Sequence, residues 1–222
     1  QCKAEKSRAN TLVKLRLCLL SIEEMRRIRA AEGFGYDEVL RGAVYLYRDQ
    51  KLLETGLRNA QLLKDNGVTG LRAIDRDELV RREPALAAAK DKLAGALFSE
   101  QDESGDCALF STRLAERVEA KGGQFLLGRS VTGLRSEKGK VTAVATDQGD
   151  VTADAYVLSL GSYSPQVARS VGLRVPIYPV KGYSLTVPVG PGHMAPQLPG
   201  VDEHYLVAFA RMGDKLRLTA TA

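Results

Sequence analysis

Cysteine is scarce in this 222-residue chain, and the three that occur, Cys2, Cys18 and Cys107, are far apart, odd in number and free of any CxxC spacing. That argues against a disulfide framework or a zinc site, and no metal is expected. Histidine is as sparse. His193 and His204 stand in no nucleophile context such as GxSxG, so a catalytic triad has no support. There is no GxxxxGK[ST], no HExxH, no internal repeat and no low-complexity tract. Long apolar runs are missing too: the stretch from Leu12 to Ile22 is interrupted by Lys14 and Arg16 and falls short of the roughly 20 residues that a membrane-spanning helix needs. No signal-peptide cleavage pattern is visible. Charge of one sign is never concentrated, since 32 Lys and Arg are scattered among 27 Asp and Glu for a formal +5, which argues against nucleic acid as a partner. A reduced, cytoplasmic protein is expected. Basic residues near the start, among them Lys3, Lys6, Arg8, Lys14 and Arg16, leave two readings: a solvated helix face, or weak peripheral contact with the anionic surface of the inner membrane.

What is present is enough apolar sequence, 44% of residues, for a sizeable core. From about Glu5 to Glu32 the residues Leu12, Leu15, Leu19, Ile22, Met25 and Ile28 recur at helical steps, predicting a long helix with one apolar stripe that packs on a core. The run Gly42 to Arg48 reads as a strand, Gln50 to Asp65 as a helix stopped at Asn66-Gly67, and Leu71 as part of a short strand. Asp75 can cap a short helix that closes at Glu83-Pro84. Further on, Ser111 to Ala120 predicts a helix, Gln124 to Leu127 a short strand, and Val131 to Ser136 with Val141 to Thr146 a hairpin. Ala155 to Leu160 is apolar on both faces, as a strand buried within a sheet requires. Val175 to Val187 is read as strand, Pro188 to Gly200 as loop, and Glu203 to Arg211 with Lys215 to Thr221 as a hairpin about Gly213-Asp214.

Few motifs carry chemistry by themselves. Gly33-Phe34-Gly35 follows a helix and lacks a third glycine, so it reads as a helix stop and not as a cradle for pyrophosphate. The cluster Asp102-Glu103-Ser104-Gly105-Asp106 could supply paired catalytic carboxylates. The better reading is a turn that places Asp106 or Ser111 at the positive end of the next helix. Gly161-Ser162-Tyr163-Ser164 could let backbone approach a ligand closely or could be a plain turn.

Read in order, several segments resemble one family. Tyr36-Asp37 followed by Arg41 to Val44, Leu79 through Glu83-Pro84-Ala85-Leu86, Asp102 to Cys107, Gly161 to Pro165, and Tyr178 to Ser184 are similar in order and spacing to the D-amino-acid oxidase superfamily, in particular bacterial D-amino-acid dehydrogenases and glycine oxidases. The resemblance implies an α+β, mixed α/β fold: a substrate domain with a mixed sheet, in segments 33–100 and 173–222, and an incomplete Rossmann-like FAD domain in segments 1–32 and 101–172. It implies FAD as cofactor, oxidative deamination of a D-amino acid to a 2-oxo acid and ammonia, and an electron acceptor that is either a membrane quinone or oxygen.

By the same resemblance, Val131 offers its backbone near the adenine, Gly161 runs close to the cofactor, Lys181 and Gly182 approach the flavin, and Tyr205, on a predicted strand, faces the substrate carboxylate. The plain alternatives are a core valine, a surface lysine and an interior aromatic. Two departures accompany the match: the family's GxGxxG unit and its C-terminal flavin contact would lie outside Gln1 to Ala222, and Glu100 stands where a proline is usual. FAD is therefore expected in the complete parent and at most weakly bound by this chain alone. Two further readings stand beside the enzyme: a non-catalytic scaffold that does not hold FAD, and a membrane-surface module built on the basic first helix.

Overall fold

A computed structural model describes residues 4–221. Cys2 and Lys3 lie outside them. The predicted first helix forms as α1 (Ala4–Glu32) and ends as expected at Gly33, whose N–H bonds Arg29 O at 3.1 Å. β1 (Ala43–Tyr47), α2 (Gln50–Lys64), β2 (Leu71–Ile74) and α3 (Arg76–Arg82) follow. Asp75 caps α3 as its position suggested, accepting from Glu78 N at 2.7 Å. A 3₁₀ segment, Pro84–Lys92, leads into β3 (Gly95–Ser99). Sequence reading missed both, although every residue of β3 is buried. The reason is its composition: Gly95, Ala96 and Ser99 are poor strand formers, and only neighbours on both edges make this a strand.

The second half contains α4 (Cys107–Ala120), β4 (Val131–Glu137), β5 (Lys140–Thr146), β6 (Gly149–Val151), α5 (Ser164–Ala168), β7 (Gly182–Pro188), β8 (Gly200–Asp202), β9 (Val207–Met212) and β10 (Lys215–Thr221). Helix α4 starts four residues earlier than Ser111 because Asp106 Oδ1 accepts from Ala108 N and Leu109 N at 2.9 and 3.1 Å. Two expected strands are absent. Residues 124–127 form no strand, and neither do 155–160, where Val157 is 88% exposed. An all-apolar run becomes a buried strand only when partners pair with its edges, and the described residues supply none. Strand β7 begins at Gly182, later than Val175.

The chain divides into two compact units, residues 1–118 with 182–222, and residues 119–181. Segments 1–32 and 101–118, expected with the cofactor domain, thus fall in the first unit. That unit is built on a seven-stranded sheet of order β2-β3-β1-β8-β9-β10-β7, in which only β1 and β8 run parallel. Val44 and Leu185 share this one sheet. Alternation along β1 and β3 sorts the core by face. Val44, Leu46, Ala96 and Phe98 join Ile74, Leu79, Leu93, Leu198 and Phe209 on one side, and Tyr47 and Leu97 join Leu53, Ala60 and Leu71 under α2 on the other. The second unit holds the β4-β5-β6 sheet, with α5 placed against β4.

Glu83 is 1% exposed, and its carboxylate accepts from Gln197 N and Leu198 N at 2.7 and 2.8 Å and from Ala85 N at 3.3 Å. The Gln197 and Leu198 amides lie just before β8. Removing the acceptor strands buried donors, so Glu83→Ala should lower stability by about 3 kcal/mol, which for a chain of this size is roughly a 10 °C fall in Tm by calorimetry. Glu83→Gln keeps one acceptor oxygen and should cost about half as much.

Candidate functional site

Every residue of the acidic cluster has a placed role. Asp102 Oδ2 accepts from the Tyr45 hydroxyl at 2.6 Å. Glu103 pairs with Arg29 of α1 at 3.0 Å, and the same Arg29 nitrogen donates to the Tyr36 hydroxyl at 2.9 Å. Ser104 exchanges backbone bonds with Val39. Gly105 is a place where only hydrogen fits, since a Cβ there would stand 2.4 Å from the Tyr36 ring. Asp106 caps α4. The structural reading of the cluster is the one that holds: its carboxylates are spread over a phenol, a guanidinium and a helix end, and do not face each other as an acid–base pair. Glu103 Oε1 and the Ser104 hydroxyl are buried with no partner among the described residues.

The Tyr45 phenol is held strongly neutral, first by burial, then by its hydrogen bond to Asp102 and by the charges of Asp102 and Glu203. Glu203 itself is pushed up by burial and by neighbouring Asp202.

A second constellation surrounds Tyr205. The residue is not on a strand but in the turn between β8 and β9, because Asp202 Oδ1 accepts from His204 N and Tyr205 N at 3.1 and 3.3 Å and bends the chain there. Asp202 Oδ2 takes the Arg48 Nε at 2.8 Å, and the Arg48 guanidinium lies 4.8 Å from the centre of the Tyr205 ring. The His204 ring meets the same phenol edge to face at 4.7 Å. At 61% exposed, Tyr205 is no interior aromatic: its ring is held by a cation and an imidazole while its surface stays open.

The other expected residues divide between the units. Gly182 opens β7 and pairs with Thr221 in the sheet unit. Val131, Gly161 and Lys181 belong to the second unit. Val131, the first residue of β4, is 39% exposed, so it is not simply core. Gly161 takes φ +54 with open space where a side chain would be, a backbone that a ligand can approach. Sequence reading passed over Tyr45, Arg48 and Asp202. Tyr45 and Arg48 are both in the strand motif GAVYLYR, but which of its faces meets acid was set by strand pairing alone.

No group of His, Cys, Asp and Glu suited to a metal occurs among the described residues. Nor is any helix among them long and apolar enough to cross a membrane. For a dinucleotide, the open backbone at Gly161 and the accessible Val131 are compatible with contact. The Gly33-Phe34-Gly35 step closes a helix and offers no helix N-terminus to a pyrophosphate.

Residues 4–222 match a family described as FAD dependent oxidoreductase. A D-amino acid dehydrogenase of Rhizobium rhizogenes is 38% identical over 221 residues, all of this chain and 53% of that protein, and D-amino acid dehydrogenase 2 of Mesorhizobium japonicum is 42% identical over 223 residues with the same shares covered. The chain spans about half the length of the curated relatives it matches. Among solved structures, glycine oxidase from Geobacillus kaustophilus superposes with a TM-score of 0.74 at 21% identity, covering 100% of this chain and 56% of that one. L-proline dehydrogenase from P. horikoshii gives 0.75 at 18%, covering 93% and 55%. At these identities the structures attest the fold.

Tyr45 generates a test of its own. Its pKa is raised on folding, so its contribution to stability is complete below the unfolded value of about 10 and is lost as pH rises toward the folded value. Denaturation between pH 9 and about 11.5 should show falling stability, and Tyr45→Phe should flatten that fall while costing roughly 1.5 kcal/mol at pH 7. Absorbance at the phenolate band should show Tyr45 ionising only as the chain unfolds.

Proposed function

The chain belongs to the FAD-dependent oxidoreductase family, and from that premise we propose that it is the central portion of a flavoenzyme that oxidises D-amino acids to 2-oxo acids. What carries this reading is identity of 38–42% over the whole chain to proteins named D-amino acid dehydrogenase. FAD, when bound, supplies the two-electron acceptor for oxidation at the amine carbon, after which water releases ammonia. The chain's own residues position the partners. In this reading segments 33–100 and 173–222 form the substrate side and segments 1–32 and 101–172 the cofactor side.

Tyr205 is the residue we assign to the substrate carboxylate. Its phenol is exposed, its ring is backed by Arg48, and the turn that carries it is tied by Asp202, so a hydrogen bond from it would need little further ordering. Val131 through its backbone and Gly161 through its open left-handed turn serve the cofactor, with Lys181 and Gly182 toward the flavin. The electron acceptor in this proposal is a membrane quinone reached by peripheral contact, with oxygen as the alternative.

A second reading, a scaffold that does not retain FAD when isolated, is favoured by one observation: no glycine-rich helix N-terminus occurs among the described residues. Two measurements test the pair. Titrating the 222-residue chain with FAD should show weak binding at most, and a tight one-to-one complex would overturn the scaffold reading. In the longer parent enzyme, Tyr205→Phe should raise the Michaelis constant for D-amino acids by roughly ten- to a hundredfold with flavin content unchanged, whereas Val131→Asp should lower flavin occupancy. An unaltered Michaelis constant for every D-amino acid tested would remove Tyr205 from the substrate site.

A further inference from the structure

Between α1 and the α2-covered face of the sheet lies a cavity of about 500 Å³, within the range of small-molecule sites. Its wall is mostly apolar: Leu15, Leu19 and Ile22 from the inner stripe of α1, Leu63 from α2, and Leu71 and Leu97 from the sheet. The stripe predicted from sequence thus has the right phase and is half-buried along its length, but none of it enters the buried core clusters. No residue of α1 with a described side chain is buried, because the helix lines a space instead of closing on the core. Apolar surface left around such a space is a standing gain for any apolar occupant.

The cavity has one polar end. Asp102 lies on its lining beside Tyr45, with Oδ2 bonded to the phenol at 2.6 Å and Oδ1 accepting nothing from the described residues. Asp102 makes no ion pair among the described residues. Lys14 is also on the lining, but it is exposed, and water screens its charge. A carboxylate with one oxygen unused by the described residues, beside aromatic rings and an apolar wall, is complementary to an alkylammonium: the acid supplies charge, the rings supply a cation-tolerant face, and the wall covers carbon.

We propose that this cavity is a binding site for an apolar primary amine, with the alkyl part against Leu15, Leu19, Leu63 and Leu97 and the ammonium received by Asp102. Neither Tyr205 nor any residue assigned to the cofactor is on its lining, and it does not depend on the proposed reaction.

Cys18 lines the same cavity from α1, whereas Cys107 does not, and both are free thiols at the surface. In the 222-residue chain carrying Cys2→Ser, the labelling rates of these two cysteines by a small thiol reagent report occupancy and an internal control. n-Octylamine below its micelle concentration should slow Cys18 saturably at pH 7 and leave Cys107 unchanged. Octanol and octanoate should need roughly tenfold higher concentration for the same protection. Asp102→Asn, which keeps an acceptor for Tyr45, should erase the preference of amine over alcohol. Leu15→Trp, which fills the space from a half-exposed helix position, should abolish protection. Circular dichroism checks that both variants remain folded. Absence of protection in the parent chain, protection by octanoate as good as by octylamine, or an amine preference that survives Asp102→Asn would each overturn the proposal.

Discussion

A single buried carboxylate, Glu83, fastens the approach to the strand that joins the two halves of the seven-stranded sheet. Strand β8 is only three residues long, yet it is the sole link between the β2-β3-β1 half of the sheet and the β9-β10-β7 half. Its pairing with β1 is also the one parallel contact, so no hairpin turn brings the two together. So short a strand cannot hold its register by ladder bonds alone. It is fastened at both ends instead. Glu83 gathers the amides of Gln197 and Leu198 just ahead of it, and Asp202, its last residue, is tied to Arg48 at the end of β1. Burying a charge is costly unless its hydrogen-bonding capacity is filled, and here three backbone N–H groups fill it.

The same economy of charge runs through the rest of the sheet unit. Carboxylates that sequence inspection could have taken for catalytic acids are each used to locate backbone or a neighbouring side chain: Asp75 and Asp106 at helix ends, Glu103 on α1, Asp202 on the turn that carries Tyr205. Asp102 holds Tyr45 and is also on the lining of the cavity. The site-bearing turn and the amine-complementary cavity are thus built from the same kind of part, an acid whose second oxygen decides its further use.

The second unit is different in character. Residues 124–127 and 155–160 are strand-like in composition but expose Leu127, Val157 and other apolar side chains. Their side chains have the make-up of sheet interior, but the backbone there forms no strand. Val131, Gly161 and Lys181 lie in this unit, and Gly182 and Tyr205 in the other.

Local chemistry alone determined a good part of this protein. The phase of α1, the caps at Asp75 and Asp106, the stop at Gly33 and the β4–β5 hairpin follow from periodicity, side-chain reach and turn residues, all of which act within a few positions of chain. So did the family, through motifs whose order survives without any knowledge of contacts. Other features needed the fold. β3 is a strand because it lies between β1 and β2, despite its small residues; 155–160 is not one because no edge reaches it; and Tyr205 leaves its predicted strand because Asp202 turns the backbone. Arg48 meets Tyr205, and Tyr45 meets Asp102, across 154 or more residues in the one case and 57 in the other. Contacts of that separation depend on strand order and register, which one-dimensional patterning does not encode, and only the folded sheet brings those side chains within reach.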